Sequence, residues 1–219
     1  MLNIRKDPAL TQRGIPFGLV EVRYPDPAAW RAEDFYALAE TELAGLKERF
    51  AQYDRKAVFS EHPYSRFFKK FKKTYPVMLQ LESFLLKSRP FPRSSPAAEV
   101  PFLAELMTLV LSGAHDVQGV QGEICLYSAL EKEPFPGMRG EEAHTYPGDV
   151  CGRDEGGVIF SMIAGADERT CVKPGSRHVF YPVFGVPDQP SEALREPMEQ
   201  IARYARVLSS EAEVESMVL

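Results

Sequence analysis

The sequence predicts a mixed α/β (α+β) fold in a single domain spanning residues 1–219, with helices first, a mixed sheet mainly in the second half, and a closing helix. Two observations carry this expectation. Apolar residues recur at helical spacing up to about residue 111, and beyond Gly113 the texture changes to short apolar runs bounded by Gly, Pro and Asp. No internal repeat and no linker-like gap divides the halves, and 219 residues can bury one substantial core.

In chain order, FGLVEVRYP (17–25) alternates and is punctuated by Pro16 and Pro25, as a strand would be. Trp30, Phe35, Leu38, Leu43, Leu46 and Phe50 fall near 3.6-residue spacing and predict a helix over 29–50. A second helix is expected at 63–72. A third starts at Pro76, a residue suited to a first helical position, and runs to about Leu86. The prolines of SRPFPRSSP (88–96) exclude regular structure there. A fourth helix is expected from Ala97 to Leu111, stopped at Gly113. Strands are expected at 123–129, 148–154, 157–165 and 178–186, and a final helix at about 191–209.

Hydrophobic residues make up 44% and charged residues 26%, an ordinary globular balance. The amino-terminal stretch MLNIRKDPALTQRG has no apolar run of the secretory kind. VPFLAELMTLVLSGA is broken by Glu105 and falls short of the ~20 apolar residues a bilayer requires. A soluble, cytoplasmic protein without membrane contact is expected. Cys125, Cys151 and Cys171 are too widely spaced for a metal or redox pair and read as small apolar fillers.

Net charge is −5, which disfavours non-specific polyanion binding over the whole surface, and no DNA partner is expected. The charge is polarised: residues 46–93 hold 12 Lys and Arg against 4 Asp and Glu, whereas residues 94–219 hold 9 against 20. Within the basic stretch, Arg66, Lys69, Lys70, Lys72 and Lys73 interleave with Phe67, Phe68, Phe71 and Tyr75. Such a segment can neutralise phosphates and offer rings for bases to stack on. Read alone, the segment is more simply an amphipathic helix with its rings in the core and its lysines solvated. His115-Asp116 lacks further ligands at metal-binding spacing, so neither metal nor cofactor is expected. The phosphate-loop, dinucleotide, lipase-type and zinc-protease signatures are all missing.

Four segments then occur in an order that resembles a known family. They are Pro92-Arg93-Ser94-Ser95-Pro96-Ala97-Ala98-Glu99 before a helix, Gly113-Ala114-His115-Asp116, Gly148-Asp149 followed by Asp154-Glu155-Gly156, and Asp167-Glu168-Arg169-Thr170. From about residue 63 to 187 this pattern resembles the B3/B4 module of the phenylalanyl-tRNA synthetase β subunit and its stand-alone relatives. Three positions depart from the family pattern: Gly113 where the editing site commonly has His, Ser95 for Asn, and Glu99 for Asp.

The resemblance implies a mixed α/β fold with a cleft between the helix after Arg93 and the strands flanking Asp154. It implies tRNA or aminoacyl-tRNA as partner. Under its enzymatic form, a trans-acting aminoacyl-tRNA deacylase, His115 and Glu99 are the candidate catalytic residues, His115 positioning water. Arg93 and Arg169 hold phosphate or the oxyanion, and Glu99 or Asp154 takes the ammonium. Ser95, Glu155 and Thr170 complete the substrate-binding set. The alternative is a binding module, without turnover, for tRNA or a small amino-acid-like ligand. Arg66, Lys69, Lys70, Lys72 and Lys73 are the candidate RNA contacts in either case. The chain has no room for a class II catalytic domain and is not expected to charge tRNA.

Overall fold

The computed structural model describes all 219 residues. The chain opens with β1 (Ile4–Lys6), α1 (Pro8–Gln12) and β2 (Phe17–Arg23), then the helices α2 (Ala32–Arg49), α3 (Arg55–Phe59), α4 (Pro63–Lys70), α5 (Pro76–Leu85) and α6 (Pro96–Thr108). Strands follow: β3 (His115–Asp116), β4 (Ile124–Ser128), β5 (Pro134–Pro136), β6 (Glu142–His144), β7 (Val150–Asp154), β8 (Gly157–Ser161), β9 (Gly165–Ala166) and β10 (His178–Phe184). A 3-10 turn at Ser191–Leu194 leads into α7 (Arg195–Leu208), and β11 (Glu213–Val218) ends the chain. No helix is long and apolar enough to cross a membrane.

Two sheets stack. One has the order β11-β2-β10-β3 and is antiparallel throughout; the other has the order β1-β4-β7-β8-β9, with β1 alone parallel to its neighbour. In the first sheet the register sets Glu21, Phe180 and His115 side by side, so their side chains share one face. That face meets the second sheet through aromatic rings. Phe17 stacks on Phe160 at 6.1 Å, Phe184 meets Phe160 edge-on at 5.4 Å, and His115 lies tilted against Phe160 at 5.3 Å. Phe160 has room because its cross-strand partner is Gly152; a Cβ there would lie 2.3 Å from the Phe160 ring.

The opposite face carries Tyr181 and Val183 and is covered by helices. A Cβ on Gly18, which pairs with Val183, would lie 2.6 Å from the Met198 sulfur of α7. Helix α6 packs against α7, and α2 against both. One cluster of 48 buried residues draws on both sheets and on every helix, so the layers share a continuous core.

Helix α6 contains Pro101, which has no N–H for the carbonyl of Ala97; the Tyr181 hydroxyl donates to that oxygen instead, at 2.8 Å. The helix ends at Leu109, whose φ of 59° puts a non-glycine residue in the left-handed region, and Tyr75 donates to the Leu109 carbonyl at 2.7 Å. The stop expected at Gly113 therefore falls four residues earlier. The closing helix is also corrected, because β11 follows it and pairs with β2 over its whole length. The polar residues of β11 hid its alternation. Strand β1 and helices α1 and α3 are too short to show a period.

Candidate functional site

The residues expected in one cleft form two separate groups on opposite faces of the β11-β2-β10-β3 sheet. On the helical side, Ser95 is the N-cap of α6, and the Glu99 carboxylate folds back over the helix start. Glu99 is 4% exposed and accepts from the Ser94 amide at 2.6 Å, the Ser95 amide at 3.0 Å and the Tyr36 hydroxyl at 2.9 Å. Those bonds satisfy amide donors that no helical carbonyl reaches. Arg93 lies over the Tyr36 ring at 4.8 Å and donates to Glu40 at 2.6 Å. Glu99, a candidate catalytic residue in the sequence, acts as an internal helix cap in this structure.

On the other side of the sheet a polar chain links His115, Thr170, Asp167, Arg169 and Asp154. His115 is 1% exposed, and its Nδ1 lies 2.8 Å from the Thr170 hydroxyl. That hydroxyl donates to Asp167, which also accepts the Thr170 amide at 3.0 Å. With the Thr170 proton so used, Nδ1 of His115 is the donor. Burial pushes its pKa down to about 3. A water-activating role needs a ring that meets water near neutral pH. His115, the residue expected to position water, is a core residue here, stacked on Phe180 and tilted against Phe160.

Arg169 grips Asp154 with two parallel bonds, at 2.9 and 2.8 Å, and donates to the Gly119 carbonyl as well. Asp154 also accepts from the amides of Gln121 at 2.7 Å and Gly156 at 2.8 Å. Burial raises the Asp154 carboxyl, yet these bonds outweigh it and hold it below its ordinary value. Asp167 goes the other way: burial dominates and raises it. The Asp154 side chain is fully enclosed, so its bonding capacity is spent inside the protein. Glu155, one residue on, is exposed at the hairpin tip and forms no ion pair. Arg93 lines a surface hollow with Tyr36, Glu40 and Phe91, and His115, Glu99, Asp154 and Arg169 are absent from that hollow. Asp167, the hub of this chain, was missed in the sequence; its signal is the Asp-x-x-Thr spacing, which lets a carboxylate accept the amide three residues on.

The basic segment divides by side chain. Phe67, Phe68 and Tyr75 are buried, and Phe71 is half-buried with its edge on Tyr146 at 6.1 Å. The rings are therefore core, in line with the amphipathic-helix reading of this segment and against base stacking. Arg66, Lys69, Lys70, Lys72 and Lys73 are all exposed, and none pairs with an acid. Lys73 lies 5.4 Å over the Tyr146 ring, beside a hollow that Lys132 and His144 also line. The result is a cationic ridge along α4 and the turn after it, on an otherwise acidic protein.

No protein-family model and no curated protein matches this sequence. Among solved structures, the fold is similar to an N-terminal fragment of the phenylalanyl-tRNA synthetase β-subunit from Pyrococcus horikoshii, with a TM-score of 0.51 and 11% identity. The likeness takes in 99% of this chain and 54% of that fragment, so this chain spans about half of its length. The two share a mixed α+β fold at remote distance.

Proposed function

We propose that this protein is a B3/B4-like module that binds tRNA through the ridge formed by Arg66, Lys69, Lys70, Lys72 and Lys73, without hydrolysing an aminoacyl ester at the residues named above. One observation carries the proposal: five exposed cations, none with an acidic partner, gather on a helix and turn of a protein whose net charge is −5. Unpaired surface cations gain little for stability, whereas each phosphate they meet releases counterions. The remote likeness to a fragment of a tRNA synthetase subunit supports RNA as the polyanion. The burial of His115 and the internal use of Glu99 support binding without hydrolysis over the deacylase alternative.

The test replaces Lys69, Lys70, Lys72 and Lys73 by Gln and measures tRNA affinity across a range of salt. If all four meet phosphates, the slope of log K against log salt should flatten by about 3, at roughly 0.7–0.9 per contact. An unchanged affinity and slope would sink the proposal.

A further inference from the structure

Sheet edges in this protein are short, with one exception. The edge strands β1, β9 and β3 have three, two and two residues, whereas β11 has six, in unbroken register with β2. Phe17 and Leu219 exchange both backbone bonds, at 3.1 and 2.9 Å. Since hydrogen-bonding direction alternates along a strand, Glu213, Glu215 and Met217 also face β2. Val214, Ser216 and Val218 then turn their N–H and C=O groups outward. β11 has no Pro and no bulge, and its charges, Glu213 and Glu215, lie at positions whose backbone faces β2.

We propose that β11 pairs antiparallel with β11 of a second copy of this chain, about a two-fold axis through Ser216, joining the two four-stranded sheets into one. A two-fold pairing must set a residue opposite itself, and two centres are available. Centring on Glu215 would oppose two carboxylates directly, which is destabilising. Centring on Ser216 sets Ser216 opposite Ser216, Val214 opposite Val218, and Glu215 opposite Met217. The outward groups of Val214, Ser216 and Val218 then match their counterparts and form about six backbone bonds.

The flank of α7 completes the surface. Arg195, Glu199 and Arg206 are exposed there, form no ion pair, and line one groove with Ser216, Met217 and Val218. Helix α7 runs opposite to β11: Met198 stands at the level of Gly18, the register partner of Val218, and Leu208 leads back to Glu213. Ala202 therefore stands near the level of Ser216. The same two-fold axis brings Glu199 toward Arg206 of the second copy, and Ala202 leaves space for the approach. Strand pairing alone buries too little, because a stable interface takes about 1,200 Å² or more, and the paired α7 flanks add the remainder.

Sedimentation velocity on the full chain at concentrations up to about 100 μM tests this, a range that detects dimers of micromolar Kd. The wild type should show a dimer that dissociates on dilution. Ser216→Pro removes the central outward donor and no bond to β2, and should be monomeric with an unchanged circular dichroism spectrum. If that variant unfolds, Glu199→Arg serves instead: it should weaken the dimer at least tenfold, and the double exchange Glu199→Arg with Arg206→Glu should restore it. A wild type that stays monomeric at every concentration overturns the proposal. So does a dimer that survives both Ser216→Pro and Glu199→Arg.

Discussion

The Tyr181 hydroxyl donates to the carbonyl oxygen of Ala97, the acceptor that Pro101 leaves without its helical partner. Tyr24 completes the arrangement with its own hydroxyl, 2.9 Å from that of Tyr181. A strand side chain thus repairs the helix that packs on it. Tyr181→Phe should cost about 1–3 kcal/mol, the usual penalty for an orphaned buried acceptor. Pro101→Ala returns an N–H to the helix, so Tyr181→Phe should cost clearly less in that background. Calorimetry on the four-member cycle checks it, and equal costs in both backgrounds would refute the repair.

The contribution of His115 to folding stability should fall as pH drops below about 6.5. His115 is held neutral at about 3 in the folded protein, against an ordinary value of 6.5. Between those values the unfolded chain binds a proton that the folded one refuses, which favours unfolding. Urea titrations at pH 7 and pH 5 should show a smaller pH difference in His115→Gln than in the wild type.

Glu105 gives the opposite limb. Burial in α6 raises its carboxyl to about 8 from 4.5, although the Ser112 amide donates to it at 2.7 Å. From pH 4.5 to 8 the unfolded chain loses a proton that the folded protein keeps, so the contribution of Glu105 to stability declines as pH rises through this window. Glu105→Gln imitates the protonated form and should flatten that decline. A wild type and variant with parallel profiles over this range would contradict it.

Arg169→Met leaves the enclosed Asp154 carboxylate without its cation and should destabilise by about 3 kcal/mol, as for other broken buried pairs. The same variant should keep the tRNA salt slope of the wild type, since Arg169 is turned inward. A normal melting temperature combined with lost tRNA binding would instead return Arg169 to the ligand site.

The sequence made the long elements legible because their period extends over many residues: α2, α5, α6, α7, β2 and β10 lie within a few residues of expectation. Strand β11 was not legible, since three of its six residues are Glu or Ser and half of its backbone faces solvent. The site was legible only in pieces. Asp154 and Arg169 do meet, and Thr170 and His115 join them through Asp167. Nothing in local spacing reveals that the β10 sheet separates this group from Arg93, Ser95 and Glu99. That separation is set by register, where Phe180 and Tyr181 point to opposite faces.

The inward turn of Phe67, Phe68 and Tyr75 bears on what the basic ridge can distinguish. With those rings packed into the core, and Tyr146 occupied by the edge of Phe71 and by Lys73 above it, the ridge offers charge without flat apolar surfaces. Contacts of that kind read the spacing of phosphates along a folded strand and are blind to the letters between them. Such a surface would rank RNAs by shape, treating tRNAs of different anticodon and acceptor identity as equivalents while discriminating against a duplex of different groove width.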